Sequence, residues 1–177
     1  MTTTAGIRPT LVHDTTLGPV TLSASPQGLT RLRFGHPSDP ARTSAPVAGS
    51  PEQRLLDRAV EELDEYLLGL RTDLEVPVDL SGVGPPHRAV LDALRQVGYG
   101  RTAAYAELAR TAGLVTDGPR RAGAACARNP VLVVIPCHRI VASDGALTGY
   151  AGGLPIKRAL LALERGQFSL DTAVPAG

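Results

Sequence analysis

Apolar and polar residues alternate over Val20, Leu22 and Ala24, and again over Thr30, Leu32 and Phe34, with Ser25-Pro26-Gln27-Gly28 between the two runs. A period of two puts alternate side chains on one face, so the runs predict two half-buried strands joined as a hairpin. Residues 35–50 are rich in Pro, Ser, Gly and Ala and predict a linker loop. Ser50-Pro51-Glu52-Gln53 supplies an N-cap, a proline at the first helical position and a capping-box Gln. Leu55, Leu56, Ala59, Val60, Leu63, Tyr66 and Leu67 follow at helical spacing, with Gly69 as the stop. Val76, Val78 and Leu80 predict one more short strand.

Pro85-Pro86 marks a boundary, after which the pattern is mainly helical. Val90, Leu91, Leu94 and Val97 share one face of a helix over residues 86–97, and Gly98-Tyr99-Gly100 turns the chain. Thr102 is the expected cap of a helix running to about Thr111. Gly113 to Gly118 forms a loop, and Pro119 opens a helix from Arg120 to about Arg128. Two short helices across a tight turn, the second opening Pro-Arg-Arg, make a candidate helix-turn-helix. The continuous apolar run at 131–135 predicts a buried strand ending at Pro136-Cys137-His138-Arg139. Glycines 145, 149, 152 and 153 punctuate a loop before a last helix from Pro155 to Arg165, with Gly166 as its stop. The expected class is α+β: a small strand-and-helix subdomain over 1–82, then a mainly helical subdomain with the helix-turn-helix over 83–168 and a frayed tail over 169–177.

Composition narrows the function classes. An apolar fraction of 43% and a charged fraction of 20% are those of an ordinary globular protein. No apolar run approaches the ~20 residues of a membrane span, and the start lacks a signal-peptide pattern, so a cytoplasmic location and no membrane partner are expected. Residues 1–82 carry 7 Arg against 11 acidic groups, and residues 83–177 carry 11 Lys and Arg against 6, so a polyanion partner would suit the second half. Two cysteines and four scattered histidines make neither a disulfide framework nor a readable metal site. No metal is expected.

Free cysteines usually behave as small buried hydrophobes, and Cys126, amid Ala124, Ala125 and Ala127, fits that role. Cys137 has another setting, directly after an apolar run, held by Pro136 and followed by His138 and Arg139. The thiolate is the reactive form, and an adjacent imidazole and a nearby cation lower a thiol pKa from ~8.5. A depressed thiol is therefore the expectation at Cys137.

Ile135-Pro136-Cys137-His138-Arg139-Ile140-Val141 resembles the active-site motif of the O6-alkylguanine-DNA alkyltransferases, the methylated-DNA–protein-cysteine methyltransferases. Tyr99-Gly100-x-Thr102-x-x-Tyr105 resembles the start of that family's helix-turn-helix. Arg120, Gly123, Asn129 and Pro130 resemble its recognition helix and the hinge beyond. Gly145-x-Leu147-x-Gly149-Tyr150-x-Gly152-Gly153 and Lys157-x-x-Leu160-Leu161-x-x-Glu164 are similar to its last loop and helix, and Leu17 to Leu22 and Gly28 to Leu32 also fit.

The resemblance implies direct reversal of DNA damage, with an alkyl group moving from O6-alkylguanine in double-stranded DNA to the protein in a single turnover. It implies Cys137 as nucleophile, His138 as acceptor of the thiol proton through a water, and Glu164 as the group that orients and charge-balances the imidazole. Asn129 would hold the turn before the active-site strand, and Tyr105 would contact the extruded guanine and protonate it as it leaves. Backbone groups near Ile140 and Ala151 would recognise the guanine edge, with Tyr150 lining the pocket. Arg120 would fill the gap left by the flipped nucleotide, with Gly123 on the same minor-groove-facing helix. No cofactor and a monomeric state are expected.

Several positions depart from the family. Pro86 and Leu91 stand where it has an aromatic residue and a Trp, and the loop before Arg120 is one residue longer. Arg121 and Arg128 replace small residues, so Arg121 must point away or add a phosphate contact. Two rival functions remain at this stage: a non-catalytic alkylated-base-binding protein that recruits other repair factors, and a Cys-His-Glu hydrolase with turnover. The cysteine argues against the first, and the want of any recognisable oxyanion hole argues against the second.

Overall fold

The structure is a computed structural model that describes residues 8–167. The tail expected over 169–177 lies outside the described residues. In the N-terminal half, β1 (Arg8–Thr15), β2 (Gly18–Ser25) and β3 (Gly28–Phe34) form an antiparallel meander, and β4 (Thr43–Ser44) adds parallel to β1, giving the order β3-β2-β1-β4. The alternation read over residues 20–34 is the β2–β3 hairpin, with Leu22 opposite Leu32. β1 escaped the sequence reading because its side chains are mostly half-buried and no clear apolar alternation marks it.

Helix α1 (Pro51–Leu67) lies across this sheet. Ser50 accepts a hydrogen bond from the Gln53 backbone N–H, and Gly69 ends the helix at φ 73°, the left-handed conformation that glycine adopts without strain. Leu56, Ala59, Leu63 and Tyr66 of α1 bury against Val20, Leu22 and Leu32, each large apolar side chain contributing roughly 1.5–3 kcal/mol relative to exposure.

The strand expected over Val76, Val78 and Leu80 is reduced to a single parallel bridge between Leu29 and Val78. The Leu29 N–H donates to Pro77 O at 2.8 Å and the Asp79 N–H to Leu29 O at 2.8 Å. Pro77 has no N–H to extend a ladder, and the Glu62 carboxylate accepts the Glu75 and Val76 N–H groups at 2.6 and 2.9 Å.

In the second half, α2 (Pro85–Leu94) buries Val90, Leu91 and Leu94. A two-residue strand β5 (Ala103–Ala104) leads into α3 (Tyr105–Thr111) and then α4 (Gly118–Ala127). Ala103 and Ala104 pair in parallel with β6 (Ile140–Val141), and α5 (Leu154–Glu164) closes the described chain. Thr102 does not cap α3. The extended β5 backbone intervenes and Ala104 takes the N-cap position with no side-chain hydrogen bond.

The run 131–135 is buried apart from half-buried Val134, yet it is not a strand. It folds back on itself, with the Ile135 N–H donating to Val131 O at 3.0 Å and Val133 at φ 69°, a conformation that costs a β-branched residue energy. The apolar run reported burial, and the sequence held no sign of the reversal. The Leu32 N–H donates to Pro130 O at 3.0 Å and the Leu132 N–H to Leu32 O at 3.0 Å, so β3 holds this loop directly. One hydrophobic core contains residues of both halves.

A Cβ at Gly28 would stand 2.6 Å from Pro77 O and 2.8 Å from Pro77 C, against backbone that cannot rotate away. Gly28→Ala is therefore expected to unfold about 1–3 kcal/mol more easily, seen as a lower denaturant midpoint at an unchanged slope. An unchanged midpoint would mean that the segment around Pro77 yields without cost.

Candidate active site

Cys137 is set by two local devices. The Cys137 N–H donates to Ile135 O at 2.8 Å around Pro136, whose φ of −83° and ψ of 59° are those of an inverse γ-turn. Proline presets that φ, and the turn leads into the short 3-10 segment Cys137–Arg139. The second device is Asn129, wholly buried just past α4. Its Nδ2 donates to Ile135 O at 2.7 Å and to Cys137 Sγ at 3.1 Å, while its Oδ1 accepts the Val131 N–H at 3.1 Å. One amide thus fixes the fold of 131–135 and the sulfur together.

His138 is fully buried, and its Nε2 lies 2.7 Å from Glu164 Oε1. A carboxylate only accepts hydrogen bonds, so Nε2 carries the proton and Nδ1 is left as the basic lone pair. Among the described residues, His138 Nδ1 and the Tyr150 hydroxyl are the buried side-chain polar atoms with no hydrogen-bond partner. The two rings meet edge to face with centroids 6.3 Å apart.

Glu164 collects further donors: Arg139 Nε at 3.0 Å to each oxygen, the Gly100 N–H at 2.9 Å, and the hydroxyl of Tyr66 from α1. Arg139 also donates to Val97 O at 2.6 Å and lies over the Tyr99 ring, 5.8 Å from its centroid. Burial pushes the Glu164 carboxyl upward, but the donors, His138 and Arg139 above all, outweigh it and hold the group at about 2. Burial also dominates at His138, lowering it below the ordinary imidazole value despite Glu164.

The thiol contradicts the expectation drawn from its neighbours. Burial pushes Cys137, 4% exposed, up to about 11, against the opposing pull of Asn129, Lys157 and Arg33. Arg139, adjacent in sequence, spends its charge on Glu164 instead. Cys126 is likewise buried and pushed up to about 12.

Around the sulfur, Lys157 Nζ donates to Ile140 O at 2.6 Å and Thr148 O at 2.9 Å, tying β6 to the loop before α5. Thr148 Oγ1 donates to the Tyr105 hydroxyl at 3.1 Å, and a Cβ at Gly123 would lie 3.6 Å from the Tyr105 ring. Tyr105 thus spans the gap between α4 and that loop. Tyr150 packs so tightly on Gly152 that a Cβ there would be 2.7 Å from its ring. Ala151 is exposed beside it, and Arg120 and Arg121 stand exposed in the first turn of α4.

The structure therefore brings Cys137, His138, Glu164, Asn129, Tyr105, Ile140 and Tyr150 to one region, with Arg120 and Arg121 on the open face of α4. Tyr66, Arg139 and Lys157 were not read as site residues. Tyr66 sits in the apolar stripe of α1, where a tyrosine passes for core; a polar tip on a buried stripe is the signal that it needs a partner.

Two family models cover most of the chain: "6-O-methylguanine DNA methyltransferase, ribonuclease-like domain" over residues 9–80 and "6-O-methylguanine DNA methyltransferase, DNA binding domain" over residues 85–166. The methylated-DNA–protein-cysteine methyltransferase of Mycobacterium tuberculosis is 36% identical over 159 residues, covering 89% of this chain and 93% of that protein. The Methanosarcina barkeri protein of the same name is 34% identical, covering 86% and 94%. The crystal structure of M. tuberculosis OGT in complex with DNA superposes with a TM-score of 0.76 at 35% identity, covering 88% of this chain and 92% of that one.

Glu164 has its folded value, about 2, below the ordinary 4.5. Its contribution to stability is complete above the unfolded value and is lost as pH falls from about 4.5 through about 2. The loss is on the order of 3 kcal/mol. Glu164→Gln should remove that share of the acid limb and lower stability at neutral pH by roughly 3–5 kcal/mol, because Arg139 is left buried without its partner. Denaturant unfolding as a function of pH reads both, and parallel acid limbs in the two proteins would contradict this account.

Proposed function

The chain belongs to the 6-O-methylguanine DNA methyltransferase family, and from that premise we propose that it repairs O6-alkylguanine in double-stranded DNA by one irreversible transfer of the alkyl group to Cys137. The observation that carries the reading is the buried Nδ1 of His138, free of protein partners while Nε2 is committed to Glu164, on the residue that directly follows a buried thiol. This is a base oriented from behind, the arrangement that activates a cysteine nucleophile.

The alkyl carbon of a stacked lesion is out of reach, so the nucleotide leaves the duplex at a cost of a few kcal/mol. In this reading the helix-turn-helix is α3 and α4, bound in the minor groove. Arg120 fills the gap, Arg121 adds a phosphate contact, and side-chain-free Gly123 lets α4 approach closely. The Ile140 carbonyl, held by Lys157, and the backbone at Ala151 face the guanine edge, with Tyr150 as a wall.

Free Cys137 is a neutral thiol. As sulfur approaches carbon, the thiol proton passes through a bridging water to His138 Nδ1, and Glu164 balances the imidazolium. The new S–C bond forms as the C–O6 bond breaks and its electron pair enters the purine. Burial keeps Tyr105 protonated, so its hydroxyl stabilises the departing base by donating to it. In the net reaction the thiol proton replaces the alkyl group on guanine. The thioether has no good leaving group, and one protein molecule repairs one lesion.

A duplex carrying a single O6-methylguanine, mixed with the protein and followed by peptide mass spectrometry, should place one methyl on the Cys137 peptide. The label should saturate at one per protein and be absent in Cys137→Ser. An unmodified Cys137 with the lesion intact would leave only a lesion-binding role. Tyr105→Phe is expected to slow single-turnover transfer on the order of 10²-fold with little change in DNA affinity. Transfer at the parent rate would remove Tyr105 from the chemistry.

A further inference from the structure

The hydroxyl of Tyr66 ends on an oxygen already crowded with donors. Glu164 Oε1 accepts from His138 Nε2 at 2.7 Å, from Arg139 Nε at 3.0 Å and from Tyr66, and pairs in charge with Arg139 Nη2 at 3.0 Å. Oε2 accepts from Gly100 at 2.9 Å and from Arg139 Nε at 3.0 Å. The two carboxylate oxygens together offer about four lone-pair sites, so the donors at Oε1 compete. The 3.5 Å between the Tyr66 hydroxyl and His138 Nε2 separates two donors aimed at one acceptor and is too long for a useful bond between them.

Tyr66 is not free to look elsewhere. It is 1% exposed, and its ring stands edge-on to Tyr99 with centroids 5.9 Å apart and planes at 88°. Burial and Glu164 raise its phenol well above the ordinary value, so it remains a donor. The ionisable groups around His138 are Glu164 and Lys157 from α5, Arg139 and Cys137 from its own segment, Tyr66 from α1 and Tyr150 from the loop before α5.

We infer that Tyr66 is a positioning residue of the reaction: by occupying Glu164 Oε1 it limits how strongly the carboxylate draws a proton onto His138 and keeps the imidazole neutral as the base for Cys137. The N-terminal half thereby sets the proton affinity of a base that lies in the other half. The kinetic side of this inference rests on the alkyl-transfer reading; the ionisation of His138 does not.

The experiment is an NMR titration of His138 in the DNA-free protein, paired with the single-turnover transfer rate from about pH 4 to about pH 8. Tyr66→Phe keeps the ring and frees a lone pair, so the His138 midpoint should rise by roughly one pH unit. The acid limb of the transfer rate should rise with it. Difluorotyrosine placed at position 66 alone keeps the shape, donates more strongly and should move the midpoint down. A packing role would give neither opposed shift.

An unmoved His138 midpoint in Tyr66→Phe, or shifts of the same sign in both proteins, would overturn the inference. If Tyr66→Phe does not fold, the fluorinated protein decides, a fall supporting the inference and any other result overturning it. Absence of methyl transfer in the parent protein would sink the function proposed above and leave the titration as it stands.

Discussion

Glu164 carries its charge with no side-chain surface open to water, and a carboxylate in that position costs several kcal/mol unless donors converge on it. That demand explains why three other stretches of chain converge on it. His138 and Arg139 arrive from the segment after Cys137, Gly100 from the turn after α2, and Tyr66 from α1. Losing them together would strand a buried charge, so the position of His138 is held by the stability of the fold. The carboxylate orients the His138 ring and also fastens the two halves of the chain.

The free thiol is the counterpart of that arrangement. A sulfur held neutral by burial is a poor nucleophile toward whatever small electrophile diffuses past, and the next residue, His138, keeps a ring nitrogen without a partner. In the proposed reaction, activation would wait for the alkylated base, which brings the leaving group. Under the proposed single transfer, a thiol kept neutral until the alkylated base arrives is guarded against being spent elsewhere.

Much of the molecule was legible in the sequence. The β2–β3 alternation, the Ser50 cap and the Gly69 stop all report local backbone physics, and each is where the pattern placed it. The Cys137 motif pointed to the family through residues adjacent in the chain. What the pattern could not carry was tertiary. Val131 to Ile135 looks like a strand because burial and extension leave the same apolar signature, while the reversal there is imposed by Asn129 and β3. The sense of the thiol shift failed for the same reason: adjacency put a cation next to Cys137, and the fold turned that cation toward Glu164. Tyr66 lies 98 residues from its carboxylate partner, a distance no local pattern bridges.

The two contacts along β3 have a further meaning. β3 is an outer strand of its sheet, and a bare outer strand offers its unpaired amides to neighbouring molecules. Here the Pro77–Asp79 segment covers one end of that edge and the Pro130–Leu132 segment covers the other. The segment that leads into Cys137 therefore also covers the sheet edge against strand addition between chains. The cover on the outer strand and the placement of Cys137 thus rest on one short stretch of backbone.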